Sequence, residues 1–472
     1  MQSSPADEEH RKYRRLSYWH DSVPGSLLPR SKLENDIEVD IAIAGAGYTG
    51  LWTAYYLKKL NPSLSIAIIE SETAGFGASG RNGGWCSSYL SGMEKALARP
   101  DQADAAIRLQ RLMFDTVKEV GRVTKLESID CHFEQSGQVE AAVLPAQLDR
   151  VREQVDFMHG LGFGEQDFRY LTSQQLRDRI NIDGALGGMY MPHCAAIHPA
   201  RLARGLADVV EGLGVKIFEQ TAVIKLEQQG FTTSGGRVKA AATVLATEGY
   251  TGSIQGLGRK LIPVHSMMIA TEPLSEEQLE ETGLQQRYTF NNLDHLTTYG
   301  QLTADGRIAF GSRGSYLYGS GVRSHFDPAD SEFDLVWETL LKFFPSLRGS
   351  RYTHAWGGAM GVSRTLRPSV CFNKERCVGW AGGFFGNGVG ATHLAGRTMA
   401  DLILERDTDR LHTPWVNPDH ERELDKKLWE IEPVRWLGIN TRARLMHWAD
   451  RAECSNSIAA PLINKTLETV FP

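Results

Sequence analysis

Residues 39–50 read Val-Asp-Ile-Ala-Ile-Ala-Gly-Ala-Gly-Tyr-Thr-Gly, and Ile66-Ala-Ile-Ile-Glu70 closes a second apolar run downstream. Val39 to Ala44 has the continuous apolar character of a buried strand, and Leu51 to Leu60 reads as the helix that follows. Between them Gly45, Gly47 and Gly50 form G-x-G-x-x-G where strand should turn into helix. Gly45 suits a tight turn, Gly47 lets backbone approach a pyrophosphate, and Gly50 allows helix and strand to pack closely. Ala46, Tyr48 and Thr49 complete the turn. The helix start offers unpaired N–H groups and a positive dipole end to phosphate. Glu70 ends the second strand, with Ser71 beside it, and can accept hydrogen bonds from both ribose hydroxyls. Such a glycine motif alone can be a tight structural turn. Strand, glycines, helix, second strand and terminal acid in register predict a dinucleotide site.

A second glycine cluster follows almost at once: Ala74-Gly-Phe-Gly-Ala-Ser-Gly-Arg-Asn-Gly-Gly84. A nicotinamide dinucleotide does not need it. A flavin dinucleotide does, because its diphosphate, ribityl chain and ring run along the same sheet edge. Gly77, Ala78, Gly83 and Gly84 permit close backbone approach. Ser79 and Arg81 are expected to address phosphate oxygens, and Asn82 to bond near the ribityl chain or ring. The competing reading is a flexible loop.

The 472 residues exceed one ordinary core, so two domains are expected. A net charge of −6 argues against general nucleic-acid binding. The six cysteines show no C-x-x-C spacing, which points to free thiols rather than zinc or a disulfide framework, and no metal site is expected. No apolar run approaches the ~18 residues of a membrane span. Met1 to Leu27 lacks the apolar core of a signal peptide, so a cytoplasmic location is expected.

Residues 1–36 are polar, with Tyr18-Trp19 as an anchor onto the body. Helical stretches 103–125 and 145–160 alternate with strands such as 138–143. Residues 215–218 and 222–226 read as paired strands, 244–250 as an apolar strand ending in a turn, and 296–302 and 307–311 as a second strand-rich region. A last strand and glycine turn at 376–383 precedes a helix at 391–404. Strand and helix recur in alternation, so the domains are expected to be interleaved. The tail from Leu411 carries Trp415, Trp429, Trp436 and Trp448. Trp429, Pro433, Trp436 and Trp448 are expected to pack on the body. The alternative is an amphipathic surface for a membrane or a second subunit.

Gly77 to Gly84, with the fingerprint before it, resembles the D-amino acid oxidase-like superfamily of FAD enzymes, in its gamma-glutamylputrescine oxidase branch. Over roughly residues 15–450, other segments match in order. Residues 212–223 resemble a strand pair whose Val223 contacts the adenine. Ala246-Thr247-Glu248-Gly249-Tyr250 resembles an A-T-x-G-Y segment beside the cofactor. Trp356-Gly-Gly resembles a turn near the substrate side of the ring. Gly382 to Gly390, with Gly383, Gly386, Asn387, Gly388 and Val389, resembles the closing element, whose N–H groups face the flavin N1/C2=O edge. Trp429 to Gly438 looks like an extension common in this branch.

The resemblance implies a glutathione-reductase-like Rossmann FAD domain (37–95, 195–262 and 352–405) interleaved with an α+β substrate domain carrying an antiparallel sheet (96–194 and 263–351). An N-terminal arm (1–36) and a C-terminal helical extension (406–472) complete the chain. It further implies noncovalent FAD, a small-molecule amine substrate giving hydride to flavin N5, and reoxidation by O2 or another acceptor. Homo-oligomerisation is left open. Thr365 stands where the family often has Asp, and Met360 where several amino-acid oxidases have a carboxylate-binding Arg. That favours an amine over an α-amino acid. Arg364 or Arg367 could still hold an acidic group, or form ordinary ion pairs. His354 is a candidate cation for oxygen activation, Trp356 and Tyr299 candidate pocket residues, and Phe384 or Phe385 a pocket cap. An α-amino-acid oxidase and a non-catalytic flavoprotein partner remain the alternatives. His193 and His198 lack the further ligands of a zinc site. Cys371 and Cys377 are considered, and disfavoured, as covalent flavin links.

Overall fold

The computed structural model describes residues 5–416, 428–455, 457 and 459–470. Residues 1–4 of the expected arm, and 417–427, 456, 458 and 471–472 of the expected extension, lie outside the described residues. The described residues build two eight-stranded sheets and a two-stranded ribbon. The first sheet runs Ser369–Asn373, Val378–Gly382, Arg237–Leu245, Ile37–Ala44, Ile66–Ile69, Lys216–Phe218. From Val378–Gly382 onward all pairings are parallel. Parallel strands are covered on both faces, which is why their sequences read as unbroken apolar runs. Ile66 to Ile69 are all buried.

Helices Tyr48–Leu60, Ala103–Leu126, Pro199–Gly212 and Gly388–Ile403 supply much of one core, through Leu51, Trp52, Val117, Leu206 and Leu394. Phe231, Val238, Leu245, Ile254 and Trp380 belong to a second. Trp52 is 1% exposed, and Gly396 makes its fit possible: a Cβ there would stand 2.6 Å from that of Trp52. Truncating such a tryptophan to alanine costs about 3–5 kcal/mol.

The second sheet runs Tyr352–Ser363, Leu261–Thr271, Ile308–Arg313, Thr298–Leu302, Thr289–Asn292, Gln138–Ala142, Gly187–Met191, Arg169–Thr172. It is antiparallel except where Thr289–Asn292 lies parallel to Gln138–Ala142. Phe290, Phe310, Phe333, Phe343 and Phe344 fill its core. The α/β architecture with interleaved sheets is the one expected.

Two expectations need correction. Strands 215–218 and 222–226 do not pair with each other. Lys216–Phe218 extends the parallel sheet beside Ile66–Ile69, while Val223–Glu227 forms a hairpin with Gly230–Thr233. The apolar side chains of both suit either partner, and Thr221 breaks the run by donating to the Glu219 carbonyl (3.1 Å). Tyr352–Ser363, assigned above to the FAD unit, belongs to the second sheet, paired along its length with Leu261–Thr271.

In the arm, helices Pro5–Arg14 and Tyr18–Asp21 place Tyr13, Tyr18 and Trp19 in a core with Phe76 and Trp356. In the tail, Trp429 is buried, and its indole N–H donates to the Val362 carbonyl (2.8 Å). Trp436 packs beside it. Trp448, expected to pack likewise, is 56% exposed: it lies on the outward side of helix Val434–Cys454, whose Glu453 pairs with Arg150. No helix among the described residues is long and apolar enough to cross a membrane.

Candidate active site

A cavity of about 430 Å³ opens where the two sheets meet. From the first sheet and its turns it takes Gly45, Gly47, Tyr48, Thr49, Glu70, Ser71, Val223, Ala246 and Thr247. The second glycine segment contributes Gly77, Ala78, Ser79, Arg81, Asn82 and Gly83. Phe384 to Val389 lie along another wall, and the far end is built from Gln138, Glu140, Asn291 to Asp294, Tyr299 and Met360.

At the near end, Gly45 has φ +102°, and a Cβ there would sit 2.6 Å from the Ala246 carbonyl oxygen. Gly50 is off the cavity wall. A Cβ there would lie 2.1 Å from the Gly45 carbonyl oxygen, so this glycine closes helix onto strand. No side chain caps the helix start at Gly47, though the Tyr48 N–H donates to Ser79 Oγ (2.9 Å). The Glu70 carboxylate accepts from the N–H groups of Ala46 (2.8 Å) and Glu72 (3.0 Å). Burial pushes its pKa up to about 7 despite these bonds.

The second glycine segment is held from behind. The Trp19 indole donates to the Asn82 carbonyl (2.8 Å), and the Trp356 indole to the Arg81 carbonyl (2.8 Å). Tyr299 lies flat enough on Gly83 that a Cβ there would be 2.5 Å from the ring, and Gln301 donates to the carbonyls of Gly83 and Gly84. Two expectations change here. Asn82 spends its amide within the loop, donating to the Ala78 and Ser79 carbonyls and accepting from the Gly84 N–H. Arg81 turns inward, with Nε on the Phe76 carbonyl (2.7 Å) and Nη1 on the Ser324 carbonyl (2.7 Å). Its Nη2 is buried without a partner.

Glu248, the variable position of the A-T-x-G-Y segment, was missed as a site residue. Its carboxylate accepts from the N–H groups of Gly383 (2.9 Å) and Phe384 (3.1 Å), fastening the closing element to the Ala246 turn. Burial pushes its pKa up to about 7. A left-handed backbone at Glu248 (φ 43°) is the local price of that reach. Gly249 packs against the Ala359 and Met360 backbone, off the cavity wall. Beyond Gly386, Asn387 and Gly388, helix Gly388–Ile403 begins without a side-chain cap, its first residues on the cavity wall.

Of the four residues expected at the reaction, the structure brings only Tyr299 to the cavity. His354 points away, paired with Asp21 (3.3 Å) and edge-on to Tyr18. Alternation puts it on the same strand face as Gly358 and Met360, but it lies nearer the strand's start, where the N-terminal arm and not the cavity covers that face. Trp356 is buried behind the glycine segment. Arg364 pairs with Glu430 (2.9 Å) over the Trp429 ring. Arg367 does not line the cavity, and Met360 does. His193 stacks on Phe114 and pairs with Asp167 (2.8 Å), while His198 caps helix Pro199–Gly212. Cys371 and Cys377 do not line the cavity.

The far end carries Glu94, Glu140 and Asp294, which no motif flagged. Asp294 is bonded by Gln147 (2.7 Å) and Asn292 (2.6 Å), and burial pushes its pKa up to about 6. Glu140 is bonded by Gln138 (3.0 Å) and Asn291 (3.3 Å); burial, then the Glu94 charge, push it up to about 7. Arg81 is the one base among the described lining residues.

These residues fit a flavin dinucleotide. The cradle excludes side chains at Gly45, a carboxylate stands at the second strand's end, two helices start uncapped at the wall, and Arg81 Nη2 is an orphan donor. The chain belongs to the FAD-dependent oxidoreductase family: the family model described as DAO, FAD dependent oxidoreductase, matches residues 40–402. It is an oxidoreductase, and its cofactor is FAD. Gamma-glutamylputrescine oxidoreductase of Escherichia coli strain K12 is 30% identical over 82% of this chain and 88% of its own length. Among solved structures, glycine oxidase from Geobacillus kaustophilus superposes with TM-score 0.65 at 20% identity (79% of this chain, 96% of that one). L-amino acid deaminase from Proteus myxofaciens gives 0.66 at 16% (82% and 95%), so both share the fold.

Proposed function

We propose that this protein oxidises the C–N bond of a primary or secondary amine to an imine, which water then hydrolyses. The observation that carries this reading is the charge of the far end. It offers carboxylates and amides, an apolar wall at Met360, and no lysine or histidine among the described residues. An α-carboxylate would find no cation at that end, since Arg81 stands at the glycine segment with Nε and Nη1 on carbonyls and Arg364 is paired with Glu430. The relatives' names support oxidation at a C–N bond: gamma-glutamylputrescine oxidoreductase names a putrescine derivative, and glycine oxidase names an α-amino acid.

In this reading Gly45, Gly47, Tyr48 and Thr49 receive the pyrophosphate, with Ser79 adding a hydroxyl, while Ala46 and Gly50 shape the turn from behind. Glu70 and Ser71 take the ribose, and Val223 borders the adenine. Gly386, Gly388 and Val389 would offer N–H groups to the ring edge where negative charge grows, while Asn387 gives its own N–H to the Phe384 carbonyl (3.1 Å) and fixes the turn. When bound, FAD supplies the two-electron acceptor that takes the substrate hydride, and O2 or another acceptor later removes the electrons. The chain's own task is to hold the reacting carbon, exclude water and receive the amine as its neutral form. The amine's N–H proton leaves to solvent, so no side chain need serve as base. FAD is held without a covalent bond, in keeping with the placement of Cys371 and Cys377 off the cavity. The test is anaerobic reduction of the bound flavin across a panel of alkyl amines. Bleaching supports the reading, and a flavin that no amine or amino acid reduces favours a non-catalytic flavoprotein.

A further inference from the structure

We propose that the far end of the cavity is a cation site, built by Glu94, Glu140 and Gln138, for a second and non-reacting ammonium group, so that the substrate is a diamine-type dication. This rests on the amine-oxidising reading above and names its substrate class.

Glu140 sits mid-strand in Gln138–Ala142, and the parallel register sets it opposite Asn291. Both of its amide bonds fall on Oε1, from Gln138 Nε2 and Asn291 Nδ2, which leaves Oε2 with its lone pairs. The groups acting on Glu140 are those two amides and the Glu94 carboxylate, with no base among them. Glu140 is enclosed by protein yet keeps open surface, because what it opens onto is the cavity. Glu94, on the short helix Met93–Leu97, stands at the exposed rim of the same cavity, hydrogen-bonded by Tyr89 and followed by Lys95.

Gln138 is an independent observation. The side chain is 6% exposed, and its Nε2 donates to both Glu140 Oε1 and Asn291 Oδ1. Rotating the amide would set oxygen against oxygen, so its orientation is fixed. Its Oε1 is then a buried acceptor with no partner. A buried unmet acceptor beside the Glu140 carboxylate is costly unless a donor arrives. Proteins commonly supply that donor as Lys or Arg. Here the lining supplies neither: Arg81 is turned to carbonyls at the other end of the glycine segment. Asp294 is saturated by Gln147 and Asn292 and is not part of the site.

The vacant valences match one chemical group. A primary ammonium has three N–H donors and one positive charge. Glu140 Oε2 and Gln138 Oε1 are two open acceptors, the first on a carboxylate, and the Glu94 carboxylate, which also takes a hydrogen bond from Tyr89, adds a second negative charge. A carboxylate on the substrate's distal end would be repelled there, and a methyl group would leave Glu140 Oε2 and Gln138 Oε1 unmet.

The test uses the FAD-loaded protein and compares butane-1,4-diamine, butylamine and 4-aminobutanoate, which differ only in the distal group. Propane-1,3- and pentane-1,5-diamine bracket the length. The diamine is expected to exceed butylamine in kcat/KM by about tenfold to a hundredfold, through KM, with 4-aminobutanoate below both. In Glu140→Gln and in Glu94→Gln that preference collapses toward unity. The wild-type comparison stands even if a variant folds poorly, and FAD content and circular dichroism report folding. Equal use of diamine and butylamine, or preference for 4-aminobutanoate, overturns the cation site while leaving amine oxidation intact. A preference that survives both substitutions overturns its assignment to these residues. If no amine reduces the flavin, the amine reading falls and this proposal falls with it.

Discussion

The two ends of the cavity are built by opposite strategies. The near end is mostly backbone: glycines that exclude side chains, helix starts without caps, and one carboxylate steadied by the Ala46 and Glu72 N–H groups. The far end is almost all side chain, contributed by Glu94, Gln138, Glu140, Asn291 and Asp294 from three separated stretches of chain. A backbone cradle recognises what every FAD has in common. A side-chain chamber can be changed residue by residue without disturbing the cradle, so it is where substrate choice resides. Substitutions at one end should therefore damage one function and spare the other.

The largest effect is expected at Gly45. A Gly45→Val variant places carbon against the Ala246 carbonyl in a backbone region that branched residues avoid. It should purify without flavin, read as loss of the band near about 450 nm relative to protein absorbance. Retention of full FAD content would break the claim that this turn is a cradle.

Next comes Glu70→Ala. Charge-assisted hydrogen bonds to ribose are worth about 1.5–3 kcal/mol each, so FAD affinity should fall by about tenfold to a hundredfold. Amine KM measured at saturating FAD should stay put. Equilibrium titration of apoprotein with FAD reads the first, steady-state kinetics the second.

A smaller effect, in the opposite sense, is expected for Asp450→Ala in the tail. Asp450 accepts from the N–H groups of His295 (2.7 Å) and Leu296 (3.2 Å), holding the loop whose neighbours Asp294 and Thr297 line the far end. Losing two such bonds should raise amine KM by about tenfold with FAD content unchanged. A fall in FAD content instead would mean that the tail supports both ends.

The smallest is a pH effect. Glu70, Glu140 and Glu248 are each pushed from an ordinary 4.5 to about 7 by burial. A group with a raised native pKa gives stability that is full below about 4.5 and is lost as pH rises through about 7. Buried histidines held below their usual pKa, such as His20, His198 and His393, push stability the other way over that window, so the Glu140 contribution is read as the melting temperature of the ligand-free wild type minus that of Glu140→Gln. That difference should fall as pH rises from 5 to 7.5. A difference that grows over that range would contradict this.

The same contrast explains what the sequence revealed. Gly45, Gly47, Gly50 and Glu70 were legible because a phosphate cradle is one continuous strand–turn–helix, and its spacing survives in the primary structure. Glu140 and Asn291 become neighbours only through strand pairing, so no spacing marks them. Glu248 hid at a variable motif position, because its role lies in the N–H groups of Gly383 and Phe384 far along the chain. Arg81 and Asn82 were visible, but their directions were not. The packing of Trp19 and Trp356 behind the segment fixes its backbone, and local carbonyls then claim their donors. His354 shows the same limit: it shares a strand face with the cavity-lining Gly358 and Met360, but the arm covers its part of that face.

One measurement bears most directly on the claim that the chamber is made for amines and not for acids. Pentylamine and norleucine are the same chain without and with an α-carboxylate, and each can be mixed anaerobically with the FAD-loaded protein. Pentylamine should bleach the flavin band and norleucine should leave it oxidised at equal concentration. Rapid bleaching by norleucine with none by pentylamine would contradict the claim and make the protein an α-amino-acid oxidase.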